Sequence, residues 1–246
     1  VSAEALRALH VPGKPLVLPN VWDADTARLV EAAGFPVVAT SSAAVAAGLG
    51  QPDGEGAPVA EMFGAAERIV RAVSVPVTVD AEAGYGLPPA EVATRLLALG
   101  AVGCNFEDTD HAGGGRRPVA EQADRIAGLR RGAGDGLVIN ARVDVFLGAE
   151  DENAVLAEAV ERGRAYLAAG ADCVYPILVR SPEVLGEFVR RVGGPVNAAP
   201  LPGGPGLAEL AELGVARISL GTGLWRHVRG LLDAALDDIA AGKLPY

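Results

Sequence analysis

Five acidic residues, Asp80, Glu82, Glu107, Asp108 and Asp144, follow closely on short apolar runs: Val77-Thr-Val, Gly103-Cys-Asn-Phe and Leu137-Val-Ile-Asn-Ala-Arg-Val. At the same ends of neighbouring strands, these acids would crowd one rim and repel one another unless a cation stood among them. Oxygen donors of this type suit a hard ion, Mg2+ first and Mn2+ as a substitute. Taken singly, each acid has an alternative reading as a helix cap or as the partner of an arginine.

The rest of the composition narrows the chemistry. Lys14 and Lys243 are the only lysines. Lys14 precedes the first apolar run and Lys243 lies near the end of the chain, so neither is placed for Schiff-base or pyridoxal phosphate chemistry. His10, His111 and His227 are too scattered for a zinc hydrolase. His10 and His227 are expected on helices, at the surface or an interface. His111, in the loop after Glu107, is a candidate for proton transfer. Cys104 and Cys173 sit inside apolar runs and are expected as buried thiols in a reducing, cytoplasmic setting. The net charge of −10 argues against a nucleic-acid partner. No apolar stretch approaches the roughly 18 residues of a membrane span. Val1–His10 has helical spacing and charges rather than the pattern of a signal peptide.

Positioning these residues requires a repeated strand and helix. Strands are expected at Leu16–Pro19, Val37–Thr40, Val77–Asp80, Gly103–Glu107, Leu137–Arg142, Cys173–Pro176, Pro195–Asn197 and Arg217–Leu220. Helical patterns lie between them, over Asp25–Ala33, Glu61–Ala72, Pro89–Leu99, Pro118–Arg131, Glu152–Ala169, Pro182–Arg191, Gly206–Leu213 and Leu224–Ala240. Four helices end on a glycine just before a strand, as in Leu97-Ala-Leu-Gly-Ala and Leu167-Ala-Ala-Gly-Ala. Strict alternation with eight strands predicts a single α/β domain over residues 1–246, a (β/α)8 barrel of the TIM type. No Gly-x-Gly-x-x-Gly follows the first strand to support a doubly wound rival. In such a barrel, chemistry gathers at the C-terminal ends of the strands.

With the acids assigned to strand ends, the chain resembles the isocitrate lyase / phosphoenolpyruvate mutase superfamily over nearly its full length. The strongest piece is Asp80-Ala-Glu82-Ala-Gly-Tyr-Gly86, similar to that family's metal motif. Asn20-Val-Trp22-Asp, Thr40-Ser41-Ser42 with Leu49-Gly50 and Asp53 behind it, Phe106-Glu107-Asp108 and Ala141-Arg142-Val-Asp144 follow in matching order. The resemblance implies Asp80 as the closest ligand of Mg2+, with Asp53, Glu82 and Glu107 acting directly or through water. Backbone N–H groups around Ser41 and Ser42 would take the substrate carboxylate, and Arg142 would reach the substrate's anionic side. Trp22 and Asn197 complete the candidate substrate-binding set. Arg142, Glu107, Asp53 and His111 are the candidate catalytic residues. Members of the family handle 2-oxo acids, and a metal-bound enolate formed by C–C or P–C cleavage fits a chelating cation. They also swap their last barrel helix between subunits. The apolar stripe of Trp225, Val228, Leu231, Leu232, Leu236 and Ile239 suits such a homodimer or homotetramer, and equally suits packing in cis.

The loop after strand 4 departs from the pattern. Lyases of the family carry Lys-x-Cys-Gly-His there. This chain has Thr109-Asp-His111-Ala-Gly-Gly-Gly-Arg116-Arg117, with neither lysine nor cysteine. The expectation is therefore a Mg2+-dependent carbon–carbon lyase or decarboxylase acting on a small 2-oxo dicarboxylic acid such as oxaloacetate. A phosphonate mutase or hydrolase and a non-catalytic 2-oxo acid binder (2-oxoglutarate, for example) are the alternatives. The triple glycine suggests either a flexible gate or a plain surface loop, and Arg116 and Arg117 either select a distal carboxylate or pair with Glu121 or Asp124.

Overall fold

The computed structural model describes residues 2–245. Nine parallel strands form a ring: β1 (Leu16–Leu18), β2 (Asn20–Val21), β3 (Val38–Thr40), β4 (Val77–Asp80), β5 (Gly103–Phe106), β6 (Val138–Val143), β7 (Cys173–Pro176), β8 (Asn197–Ala198) and β9 (Arg217–Ser219). β2 through β7 pair in sequence order, and β1, β9 and β8 form a second sheet. One seam between the sheets is the chain itself, running from β1 through Pro19 into β2. The other seam is a single parallel bridge, Val174 to Val196, with the Val174 N–H donating to the Pro195 carbonyl at 3.0 Å. The ring therefore closes as the expected eight-fold barrel. Its first strand counts twice because Pro19 has no N–H to continue the ladder.

Among the described residues ten α-helices flank the strands: α1 (Ala3–Ala8), α2 (Ala24–Ala32), α3 (Ser42–Gly48), α4 (Val59–Ala72), α5 (Pro89–Ala98), α6 (Val119–Ala133), α7 (Glu152–Ala168), α8 (Pro182–Val192), α9 (Leu207–Glu212) and α10 (Gly223–Ala240). The repeated helix–glycine–strand joints are present. At Gly170 the backbone takes φ of +106°, which a side chain would strain. The main core lies between the strands and the helices that cover them, with Val79, Phe106, Ile126, Leu129, Ile139 and Phe188 among its buried members. A second cluster fills the foot of the barrel, where Ala3 and Leu6 of α1 pack on Leu16, Leu18, Val37, Ala39 and Val138.

Two expectations change, one helix is added and one alternative is decided. The strand ends shift by a residue or two, most at β8, which holds Asn197–Ala198 rather than Pro195–Asn197. A helix that the sequence pattern did not mark follows β3: α3, capped by the Ser41 side chain accepting from the Ala44 N–H. His10 is buried beyond the end of α1, its Nδ1 2.9 Å from the Leu6 carbonyl, and burial lowers its pKa to about 4. The final helix, α10, has no buried residue, so its apolar stripe does not pack in cis.

Candidate active site

The C-terminal strand ends open into a cavity of about 510 Å3. Asp53, Asp80, Glu82, Glu107, His111 and Arg142 line it, together with Ser41 and Ser42. The candidate metal and catalytic residues therefore share one space.

Asp80 closes β4. Its N–H donates to Thr40 Oγ1 at 2.8 Å, which ties the strand end to β3. Its carboxylate accepts from Ser42 Oγ at 3.1 Å, and the same hydroxyl lies 3.3 Å from Asp53 Oδ1. The chain then turns sharply. Glu82 and Tyr85 hold φ of +47° and +56°, a left-handed conformation costing roughly 1–3 kcal/mol each for such residues. Gly84 between them has no room for a side chain, since a Cβ would stand 3.0 Å from the Phe106 ring. The turn points the Glu82 carboxylate inward, where it accepts from Tyr85 Oη at 3.0 Å and from the Glu55 N–H. Burial, then the neighbouring Asp80 charge, pushes the Glu82 carboxyl up to about 7.

Glu107 follows β5 and is likewise buried. It meets the Arg142 guanidinium in an ion pair and lies 2.5 Å from His111 Nε2. Burial raises the Glu107 pKa while Arg142 and His111 pull it down, and the bond to Glu107 raises the pKa of His111. Arg142 also holds Asp144, at 3.0 Å. The loop carrying His111 is a short hairpin, with the Asp110 N–H donating to the Gly115 carbonyl at 2.9 Å. Arg117 fastens it to Asp110 and to Glu121, and Arg116 reaches toward Glu158. Neither arginine lines the cavity, so the distal-carboxylate role expected for them has no support in their placement.

Several other expected residues stand elsewhere. Trp22 packs with Val45, Ala46, Ala57 and Met62, behind α3 rather than on the cavity wall. Asn197 is fully buried and donates to Ser219 Oγ at 3.1 Å. Asp108 is buried with Arg162 at 3.0 Å and Tyr166 at 2.6 Å, and accepts the Asp144 N–H. Asp108 and Asp144 thus have arginine partners, as the alternative reading of single acids allowed. The Ser41 N–H donates to the Val21 carbonyl. The first three N–H groups of α3 lie before its first intrahelical bond; Ser41 Oγ takes that of Ala44, and Ser42 and Ala43, whose N–H groups remain, line the cavity.

The sequence reading missed Asn20, Asn105, Ser219 and Arg226, which also line the cavity. Asn20, Asn105 and Ser219 were visible as polar residues interrupting apolar strands. Arg226, in the first turn of α10, carried no such signal.

The donor set fits a hard cation. Every acidic group on the cavity wall offers carboxylate oxygen, and the raised Glu82 pKa reflects burial first and the nearby Asp80 charge second. Among the described residues no three His, Cys, Asp or Glu side chains converge as a closed ligand set.

Comparison with known proteins identifies the family of the chain. The family model of phosphoenolpyruvate phosphomutase matches residues 6–240, and the chain belongs to this family, within the isocitrate lyase / phosphoenolpyruvate mutase superfamily. A crystal structure from Burkholderia cenocepacia J2315, provisionally named a phosphonomutase, is 44% identical with a TM-score of 0.91, over 96% of this chain and 99% of that one. A 2-methylisocitrate lyase of Escherichia coli K12 is 32% identical over 213 residues, 78% of this chain and 70% of the lyase. An oxaloacetate decarboxylase of Rhodopseudomonas palustris BisB18 is 32% identical over 187 residues, 72% of this chain and 64% of the decarboxylase.

Proposed function

We propose that this single-barrel protein is a Mg2+-dependent carbon–carbon lyase or decarboxylase acting on a small 2-oxo dicarboxylic acid, with oxaloacetate as the first substrate to test. The observation that carries the reading is one cavity joining an acidic wall (Asp53, Asp80 and Glu82) to Arg142 and His111, with no lysine or cysteine at its surface. Asp80, with Asp53, Glu82 and Glu107 directly or through water, would hold the ion. A bound Mg2+ supplies the Lewis acidity that draws electrons toward the 2-oxo group.

The protein's own groups do the rest. The free N–H groups of Ser42 and Ala43 hold the C1 carboxylate. Arg142, kept charged by Glu107 and Asp144, faces the substrate's anionic end. Loss of CO2 needs no general acid, so the missing lyase thiol is no obstacle. His111, hydrogen-bonded to Glu107, stands where a proton is needed to turn the product enolate into pyruvate. The same reading makes the protein a cytoplasmic homo-oligomer.

A phosphonate mutase or hydrolase is the second reading, favoured by the 44% identity to the Burkholderia structure. Incubating the protein with Mg2+ and oxaloacetate, 4-hydroxy-2-oxo acids, 2-oxoglutarate or phosphonopyruvate, followed by NMR, separates the two. Pyruvate and CO2 from oxaloacetate above the spontaneous rate are expected. Turnover of phosphonopyruvate alone would move the protein to the second reading, and tight 2-oxoglutarate binding without any turnover would make it a binder. Asp80→Ala should abolish the thermal shift produced by Mg2+. An unchanged shift would remove Asp80 from the metal site.

A further inference from the structure

Below the acids, the barrel interior is polar. Arg217, at the start of β9, is 1% exposed, and among the described residues no carboxylate lies within ion-pair distance of it. Burying a guanidinium without a counter-ion is unfavourable, so stability does not explain its presence. Its bonds are specific. Nε donates to Ser219 Oγ at 3.1 Å, and Nη2 donates across the barrel to Asn105 Oδ1 at 3.2 Å, while Nη1 has no partner. Asn105 Oδ1 also accepts from Asn140 Nδ2 at 2.8 Å.

These contacts decide which way the Asn105 amide faces. Oxygen and nitrogen of an amide are ordinarily assigned from their surroundings. A guanidinium has donors only, so the atom it meets must be the oxygen. With Oδ1 engaged twice from the interior, the NH2 group is turned the other way. Asn105 lines the cavity and stands in register with Asp80. Its Nδ2 is not among the buried polar atoms that lack a partner, and no protein acceptor takes it, so it opens to the cavity.

We propose that Asn105 contacts the substrate, its side-chain N–H donating to the 2-oxo oxygen, and that Arg217 is the positioning residue that locks it in this sense. The choice of ligand rests on the function proposed above; the lock does not. In decarboxylation of oxaloacetate the C3–C4 bond breaks and its electron pair forms the C2–C3 double bond. The carbonyl pair moves onto the 2-oxo oxygen, and CO2 departs. A donor already aimed at that oxygen stabilises the charge as it develops. A reversed amide would present its own oxygen there and repel it.

The test uses Asn105→Ala, Arg217→Met, the double variant and Arg217→Lys. Asn105→Ala should lower kcat/KM by roughly 10- to 100-fold. Arg217→Met should lower kcat about tenfold without lowering the melting temperature, because an apolar side chain of similar length relieves a buried charge. Added to Asn105→Ala, it should cause no further loss, and Arg217→Lys should recover part of the rate. Unchanged kcat/KM in Asn105→Ala, or losses that add in the double variant, would overturn the proposal. Side-chain 15N spectra of asparagine-labelled protein give a readout that needs no turnover. The Asn105 NH2 pair, assigned by its absence in Asn105→Ala, should shift on adding oxalate with Mg2+ and should broaden or move in Arg217→Met. A pair unmoved by oxalate overturns the contact, and a pair unmoved in Arg217→Met overturns the lock. A wild type that turns over no 2-oxo acid in the same experiments counts against the proposed function alone.

Discussion

Arg142 and Glu107 form an ion pair whose side chains are 13% and 3% exposed, and Asp144 leans on the same guanidinium. Removing the arginine strands two buried carboxylates. Arg142→Met should therefore cost about 3–5 kcal/mol of stability, the usual result of breaking a buried pair from one side. It should also lower activity by at least about 100-fold, as expected when a buried group that positions charge is lost. Urea unfolding and steady-state kinetics on the same preparation check both. A variant as stable as the parent would show that the pair is not coupled as its geometry implies.

Glu82 makes stability depend on pH. Its folded pKa of about 7 lies above its ordinary value of 4.5. Between those values the native state holds a proton that the unfolded chain has released. The contribution is complete below about pH 4.5 and is lost as pH rises through 7, a change of at most about 3 kcal/mol. Melting temperatures across this range should fall with pH in the metal-free protein. Mg2+ should flatten the fall by favouring the ionised carboxylate, and Glu82→Gln should remove it.

Cys104 and Cys173 are fully buried, and burial pushes each thiol up to about 12. Neither forms an appreciable thiolate near neutral pH. Iodoacetamide applied to the native protein should leave its activity intact, and a Cys104→Ala/Cys173→Ala double variant should retain the parent's pH profile. Inactivation in step with alkylation would restore a thiol to the mechanism.

On α10, Leu231, Leu232, Leu236 and Ile239 are each more than half exposed. So large an apolar stripe is expected to be covered by a second copy of the chain. Light scattering should find a dimer or larger assembly, and Leu232→Glu with Leu236→Glu should shift it toward monomer. A parent protein that is monomeric at all concentrations would leave the stripe without this explanation.

The barrel was legible because its signal is repeated. Alternating apolar runs, helices ending on glycine and acids at strand ends each recur along the chain. Asp80, Glu82 and Glu107 could be grouped in advance because strand order alone brings them to one rim. Pairing across the barrel was not legible. Nothing local to Asp108 distinguishes it from Glu107; what separates them is Arg162 and Tyr166, more than fifty residues away. Trp22 stands off the cavity for a similar reason, since α3, the helix it packs behind, carried no marked pattern in the sequence. Arg217 looked like an ordinary strand residue, and its meaning depends on Asn105, 112 positions earlier.

The base of the barrel carries one more consequence. Leu6 and Ala3 pack there against Leu16, Leu18 and Val138, at the end of the barrel away from the cavity, which opens at the mouth. Under the decarboxylation proposed above, reactant and both products would share that passage. The CO2 of that proposed reaction would form beneath a larger organic acid and have to escape past it, or wait until the acid had gone. Order of departure, rather than bond breaking, then becomes a natural place for the catalytic cycle to slow.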